Sequence, residues 1–101
     1  MSGTPSKTGS GKGGKHELRL YVAGSGPRSL QAVRNITRIC ETELAGQYHL
    51  EVVDLYKEPH RAMTDQIVAI PTLIKWSPGL VRRMVGDLSE IAILRQGLGL
   101  A

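Results

Sequence analysis

The stretch Ala23-Gly24-Ser25-Gly26-Pro27-Arg28-Ser29 follows an apolar run and opens a helix-like one. Two cysteines flanking Gly26-Pro27 would make a dithiol exchange site there, because a helix N-terminus lowers a thiol pKa and generates the thiolate nucleophile. Ser25 and Arg28 hold those positions instead. Serine supplies no such thiolate and arginine is no nucleophile, so the layout is present without the exchange chemistry. Two roles are left for the junction. Gly-Pro turns the chain into the helix, or the first free N–H groups of that helix receive an anion. The turn alone accounts for the residue types.

The other residues able to do chemistry are scattered. Cys40 is the single cysteine, which excludes an intramolecular disulfide, a Cys-x-x-Cys pair and a cysteine-rich zinc site. It falls on an apolar helical stripe and reads as a core residue. His16, His49 and His60 lack metal-ligand spacing, and Asp54, Asp65 and Asp87 form no spaced pair for acid–base work. Residues 9–15 fit G-x-x-x-x-G-K, but His16 follows where a phosphate loop needs Ser or Thr, and no strand precedes them. Arg82 and Arg83 are adjacent, so on a strand they point to opposite faces and form no bidentate clamp.

The chain of 101 residues is expected to form one small domain, residues 16–101, behind a tail, residues 1–15, of Gly, Ser, Thr and Lys that buries too little to order itself. Three lysines of that tail account for most of the net charge of +4. The remainder is nearly neutral and poor in aromatics, which argues against nucleic-acid binding. No apolar run is long enough for a membrane span, and the N-terminus lacks a secretory apolar region, so a cytoplasmic protein is expected.

The elements that would position these residues follow from periodicity. "ELRLYVA", residues 17–23, alternates as a strand, with Leu18, Leu20 and Val22 on one face. A helix is expected from 27 to about 44, its stripe made of Leu30, Val33, Ile36, Cys40 and Leu44, with Gly46 as stop. Residues 48–56 read as a second strand, parallel to the first through a right-handed βαβ crossover. A short helix is expected from Pro59 to about 68. Strands at 69–76 and 80–86 form a hairpin about Ser77-Pro78-Gly79, and "AIPTL" fits a cis-proline loop at Pro71. Asp87 and Glu90 resemble a capping box for a last helix from about 88 to 96, ended by Gly97. The order βαβαββα is an α/β, thioredoxin-like arrangement.

"LRLYVAG", the Pro27-x-Ser29 helix start, "EVVDLYKEP", "AIPTL" and "VRRMVGDLS" occur together over residues 18–89. In this combination the chain resembles the KaiB family, small clock proteins of the bacterial KaiABC system. The resemblance implies a non-enzyme, without cofactor, that binds a KaiC-type ATPase ring. A KaiA-like protein or a histidine kinase carrying the same scaffold is a further implied partner. It also implies two alternative folds: the thioredoxin-like monomer, and a βαββααβ arrangement found in tetramers. Residue by residue it places partner-binding roles on Arg19, Lys75, Arg82 and Arg83, and switch or architectural roles on Pro71, Pro78, Gly97 and Gly99. The hairpin at 77–79 favours the thioredoxin-like state. Two rivals differ in class: a thioredoxin-like oxidoreductase, which the cysteine count opposes, and a binding module in stress or two-component signalling.

Overall fold

The computed structural model describes residues 16–77 and 81–100. The expected tail, the motif at 9–15 and Pro78 lie outside them. The elements are β1 (His16–Val22), α1 (Pro27–Glu43), β2 (Tyr48–Asp54), α2 (His60–Thr64), β3 (Thr72–Ser77), β4 (Arg82–Val85) and α3 (Ile91–Gly97). Their order is the thioredoxin-like βαβαββα expected from periodicity, and not the βαββααβ alternative. One mixed sheet runs β2-β1-β3-β4. β1 lies parallel to β2, with Leu20 opposite Val52, and antiparallel to β3, with Leu20 opposite Leu73. β3 and β4 form the antiparallel hairpin.

Strand alternation sends Leu18, Leu20, Val22 and Leu73 to one face of the sheet. There they pack with Ile36, Ile39 and Cys40 of α1 and with Leu88, Leu94 and Leu98 around α3. The opposite face carries Tyr21, Val53 and Ile74, covered by Leu55, Ile67 and Ala62 around α2.

Burial is uneven along the chain. α1 buries Ser29, Ala32, Ile36, Ile39 and Cys40. In contrast α2 buries no residue, α3 buries only Leu94 within its bounds, and no residue of β4 is fully buried.

Several local expectations are corrected. Leu30 does not join the stripe of α1; it is 48% exposed, and Ala32 and Ile39 are buried instead. The cause lies in the first turn. Ser29 points inward and its Oγ accepts a hydrogen bond from Ala23 N at 3.2 Å, which turns its neighbour Leu30 outward by the helical step of about 100°. α2 stops at Thr64 because Gln66 takes φ +57 and Ile67 N closes the turn on Ala62 O. β3 starts at Thr72, not 69, because Pro71 has no N–H to give a ladder and Thr72 Oγ1 donates back to Ala69 O at 2.6 Å.

β4 is confined to Arg82–Val85 because Gly86 leaves the extended region at φ +114. The capping box does not form. Asp87 Oδ1 accepts from Ser89 N in a local turn, Leu88 takes φ +63, and α3 begins only at Ile91. Its stop is Gly99 and not Gly97. With φ +79, Gly99 lets its own N–H reach Gln96 O and Leu100 N reach Arg95 O, the paired bonds of a Schellman turn.

Candidate functional site

The β1–α1 junction is held from below by β2. Asp54 Oδ1 accepts hydrogen bonds from Gly24 N and Tyr56 N, both at 2.9 Å. Those two backbone donors hold the Asp54 carboxyl below its ordinary pKa. Gly24 has φ +66, and the Tyr56 ring lies so close that a Cβ at Gly24 would stand 2.8 Å from it. Gly26 is the N-cap of α1 and Pro27 its first residue, with no side chain capping the helix. The junction is thus a tight turn. Ser25 precedes the N-cap Gly26, and Arg28 follows Pro27 in the first turn of α1.

Facing this junction, the Ile70–Pro71 peptide is cis, as expected from "AIPTL". Pro71 is buried, and its carbonyl accepts from Gly86 N at 2.9 Å, which joins the proline loop to the end of β4. Beside them lies a cavity of about 340 Å³ bounded by β4, the 86–90 turn, α3 and Arg28. Cys40 is elsewhere, fully buried on α1, and burial pushes its thiol pKa to about 12.

The residues tied to partner binding by resemblance behave differently from one another. Arg19 is engaged within the fold. Its Nε donates to Glu51 Oε1 at 2.8 Å, its Nη1 to Tyr21 Oη at 3.3 Å, and its guanidinium lies 4.6 Å from the Trp76 ring centroid. Lys75 is 4% exposed, and burial together with the nearby Arg82 charge lowers its pKa. Arg82 and Arg83 are exposed on β4. Arg83 donates to Gln66 O at 3.0 Å and Asp65 O at 3.1 Å. Gly97 packs against Met84: a Cβ there would collide with the Met84 sulfur.

Sequence reasoning missed the ionic network under α2. Arg61 reaches Glu51 and Glu58 at 3.3 Å and Asp65 at 3.7 Å, and Asp65 also accepts the Tyr21 hydroxyl at 2.5 Å. The only local hint is the spacing of Glu58, Arg61 and Asp65, which suits i,i+3 and i,i+4 pairs. Among the described residues no group of three or more His, Cys, Asp or Glu is placed to hold a metal ion. No helix there is long and apolar enough to cross a membrane.

Comparison with known proteins agrees with this geometry. Solved thioredoxins share the fold: yeast mitochondrial thioredoxin 3 superposes with TM-score 0.68 at 15% identity, covering 87% of this chain and 80% of that one. Fasciola hepatica thioredoxin does so with TM-score 0.68 at 15% identity, over 85% and 80%. At the sequence level the likeness is to other proteins. The chain is 43% identical over 81 residues to circadian clock protein KaiB3 of Synechocystis sp., covering 80% of this chain and 79% of that protein. It is 47% identical over 83 residues to the circadian clock oscillator protein KaiB of Acaryochloris marina, over 82% and 80%. The KaiB domain model matches residues 19–100. A thioredoxin-like scaffold without its dithiol, joined to that likeness, places the chain in the KaiB family of circadian clock proteins.

Proposed function

We propose that this protein is a clock-type regulator that acts by docking on a KaiC-type ATPase ring and performs no chemistry of its own. The observation that carries this is the preserved junction with Ser25 and Arg28 at the dithiol positions. A scaffold kept without its reactive groups serves recognition. The burial and raised pKa of Cys40 leave no thiolate to substitute for them. Exposed Arg82 and Arg83, with Arg19 and Lys75 behind them, form the basic side offered to partners, and a KaiA-like protein or a histidine kinase competes for or extends the complex. The light anchoring of α2, β4 and α3 supports a second packing of this half of the chain, since weakly buried segments open at low cost.

The test is co-elution of the protein with the KaiC-type ring of its source organism, with and without the Arg82→Ala/Arg83→Ala pair. Binding by the parent and loss in the double variant is the expected result. Failure of the parent to bind, while a pull-down from lysate recovers a kinase, moves the protein to the signalling class. An insulin-reduction assay with turnover above background would return it to the oxidoreductases.

A further inference from the structure

The sheet ends on a strand with an open side. β4 is last in the order β2-β1-β3-β4, and among the described residues no strand lies beyond it. The side of Arg82–Val85 turned away from β3 therefore presents backbone N–H and C=O groups outward. The pairings Ile74 with Arg83 and Lys75 with Arg82 put Arg83 on the α2 face and Arg82 on the α1–α3 face. Arg83 spends its donors on the neutral carbonyls of Asp65 and Gln66, so those bonds leave its charge uncompensated.

Alongside β4 runs the 340 Å³ cavity. Val85 and Ile93, 64% and 59% exposed, stand at its mouth, and buried Leu88 and Leu94 line it. Arg28 also lines it, as do two carboxylates, Asp87 and Glu90. Asp87 already accepts from Ser89 N.

We propose that the β4 edge is the docking site for an extended, acidic segment of a partner protein. The segment joins the sheet as a fifth strand and places one apolar side chain in the adjoining cavity. Main-chain pairing supplies affinity and the cavity supplies specificity, as in other strand additions. Charge selects the occupant. Two guanidiniums, Arg28 and Arg83, match the two carboxylates of the cavity lining; Arg82, outside that lining, gives the edge its excess positive charge, and the two arginines on β4 reach both faces of an incoming strand. The same arginines oppose a second copy of this edge, which would set like charges side by side.

The probe is a short, terminally blocked peptide of glutamate and threonine around one leucine, titrated into the full chain and followed by amide NMR shifts. Shifts should concentrate on residues 81–88 and on Ile93. Arg82→Glu should weaken binding about tenfold, and Ile93→Asp should do so by a similar factor. Both side chains are exposed. N-methylation of one alternate set of peptide amides should abolish binding, while methylation of the other set is tolerated. Equal binding of a lysine-for-glutamate peptide, shifts centred on β2, tolerance of both N-methylated peptides, or no binding at about 1 mM peptide each overturns the proposal.

Discussion

Leu94 is the side chain through which α3 holds the rest of the molecule. It is 1% exposed and sits in the cluster that joins β1, α1 and β3. Beyond it α3 is fixed by Leu98 just past its end, by the Met84–Gly97 contact, and by an ion pair between Arg95 and Glu43 that is about one-third exposed. An exposed pair of that kind contributes at most about 1 kcal/mol. Truncating a buried leucine to alanine costs about 3 kcal/mol, roughly a hundredfold in an opening equilibrium. That is comparable to the whole docking free energy that one remaining buried leucine and a surface pair can supply. In Leu94→Ala the helix should therefore detach while the sheet and α1 stay folded. Amide hydrogen exchange is the assay. Residues 91–98 should exchange within about tenfold of an unstructured peptide, and residues 18–22 and 32–40 should keep protection of about a thousandfold or more. Equal loss of protection in α1, β1 and α3 would show that α3 is one cooperative unit with the core. Retained protection across 91–98 would show that the anchor lies elsewhere.

Tyr21→Phe deletes the hydroxyl that donates to Asp65 and accepts from Arg19, and should lower stability by about 1–2 kcal/mol in urea titration. Cys40 should react with a thiol reagent at pH 8 only as fast as the protein unfolds. Because its thiol pKa is raised from 9.0 to about 12, its contribution to stability is complete below pH 9 and falls between pH 9 and 12, and Cys40→Ala should remove that part of the alkaline decline in thermal midpoint. Asp54 has a depressed pKa, so its contribution is present above the ordinary carboxylate value and lost as pH falls through the folded one. The Gly24 and Tyr56 amide shifts should titrate together below pH 3.8, and Asp54→Ala should abolish that titration.

The order of elements is legible in the sequence because each signal is local. Leu18, Leu20 and Val22 alternate, Pro27 opens a helix, and Pro71 and Gly86 bracket a hairpin. The β1–α1 junction is legible for the same reason. What escapes is decided by contacts outside the periodic pattern, some of them between residues far apart in the chain. The inward turn of Ser29 depends on Ala23, so the exposure of Leu30 cannot be read from helical spacing alone. The junction's anchor, Asp54, lies 30 residues from Gly24. Arg19 carries a partner-binding role by resemblance, and nothing near it in the chain announces the pairing with Asp65, at the end of α2. The Asp87–Glu90 spacing predicts a cap, but Leu88 at φ +63 leaves the helical region first, and the helix starts a turn later. Tertiary contacts decide the anchoring of Gly24 by Asp54 and of Arg19 by Asp65, and a competing local turn decides the lost cap.

Among the described strands β1 alone has one parallel and one antiparallel neighbour, β2 on one side and β3 on the other. The first pairing belongs to a crossover that closes on itself within residues 16–54. The second is made by β3, itself well buried but joined in the chain to the lightly buried α2 and β4. The two ladders therefore differ in what releases them. Any event that lifts the hairpin away leaves the crossover intact but strips one whole flank of its inner strand, along residues 17–21. A bared flank in the middle of an apolar sheet leaves a row of unpaired N–H and C=O groups, a template for any strand that can pair with it.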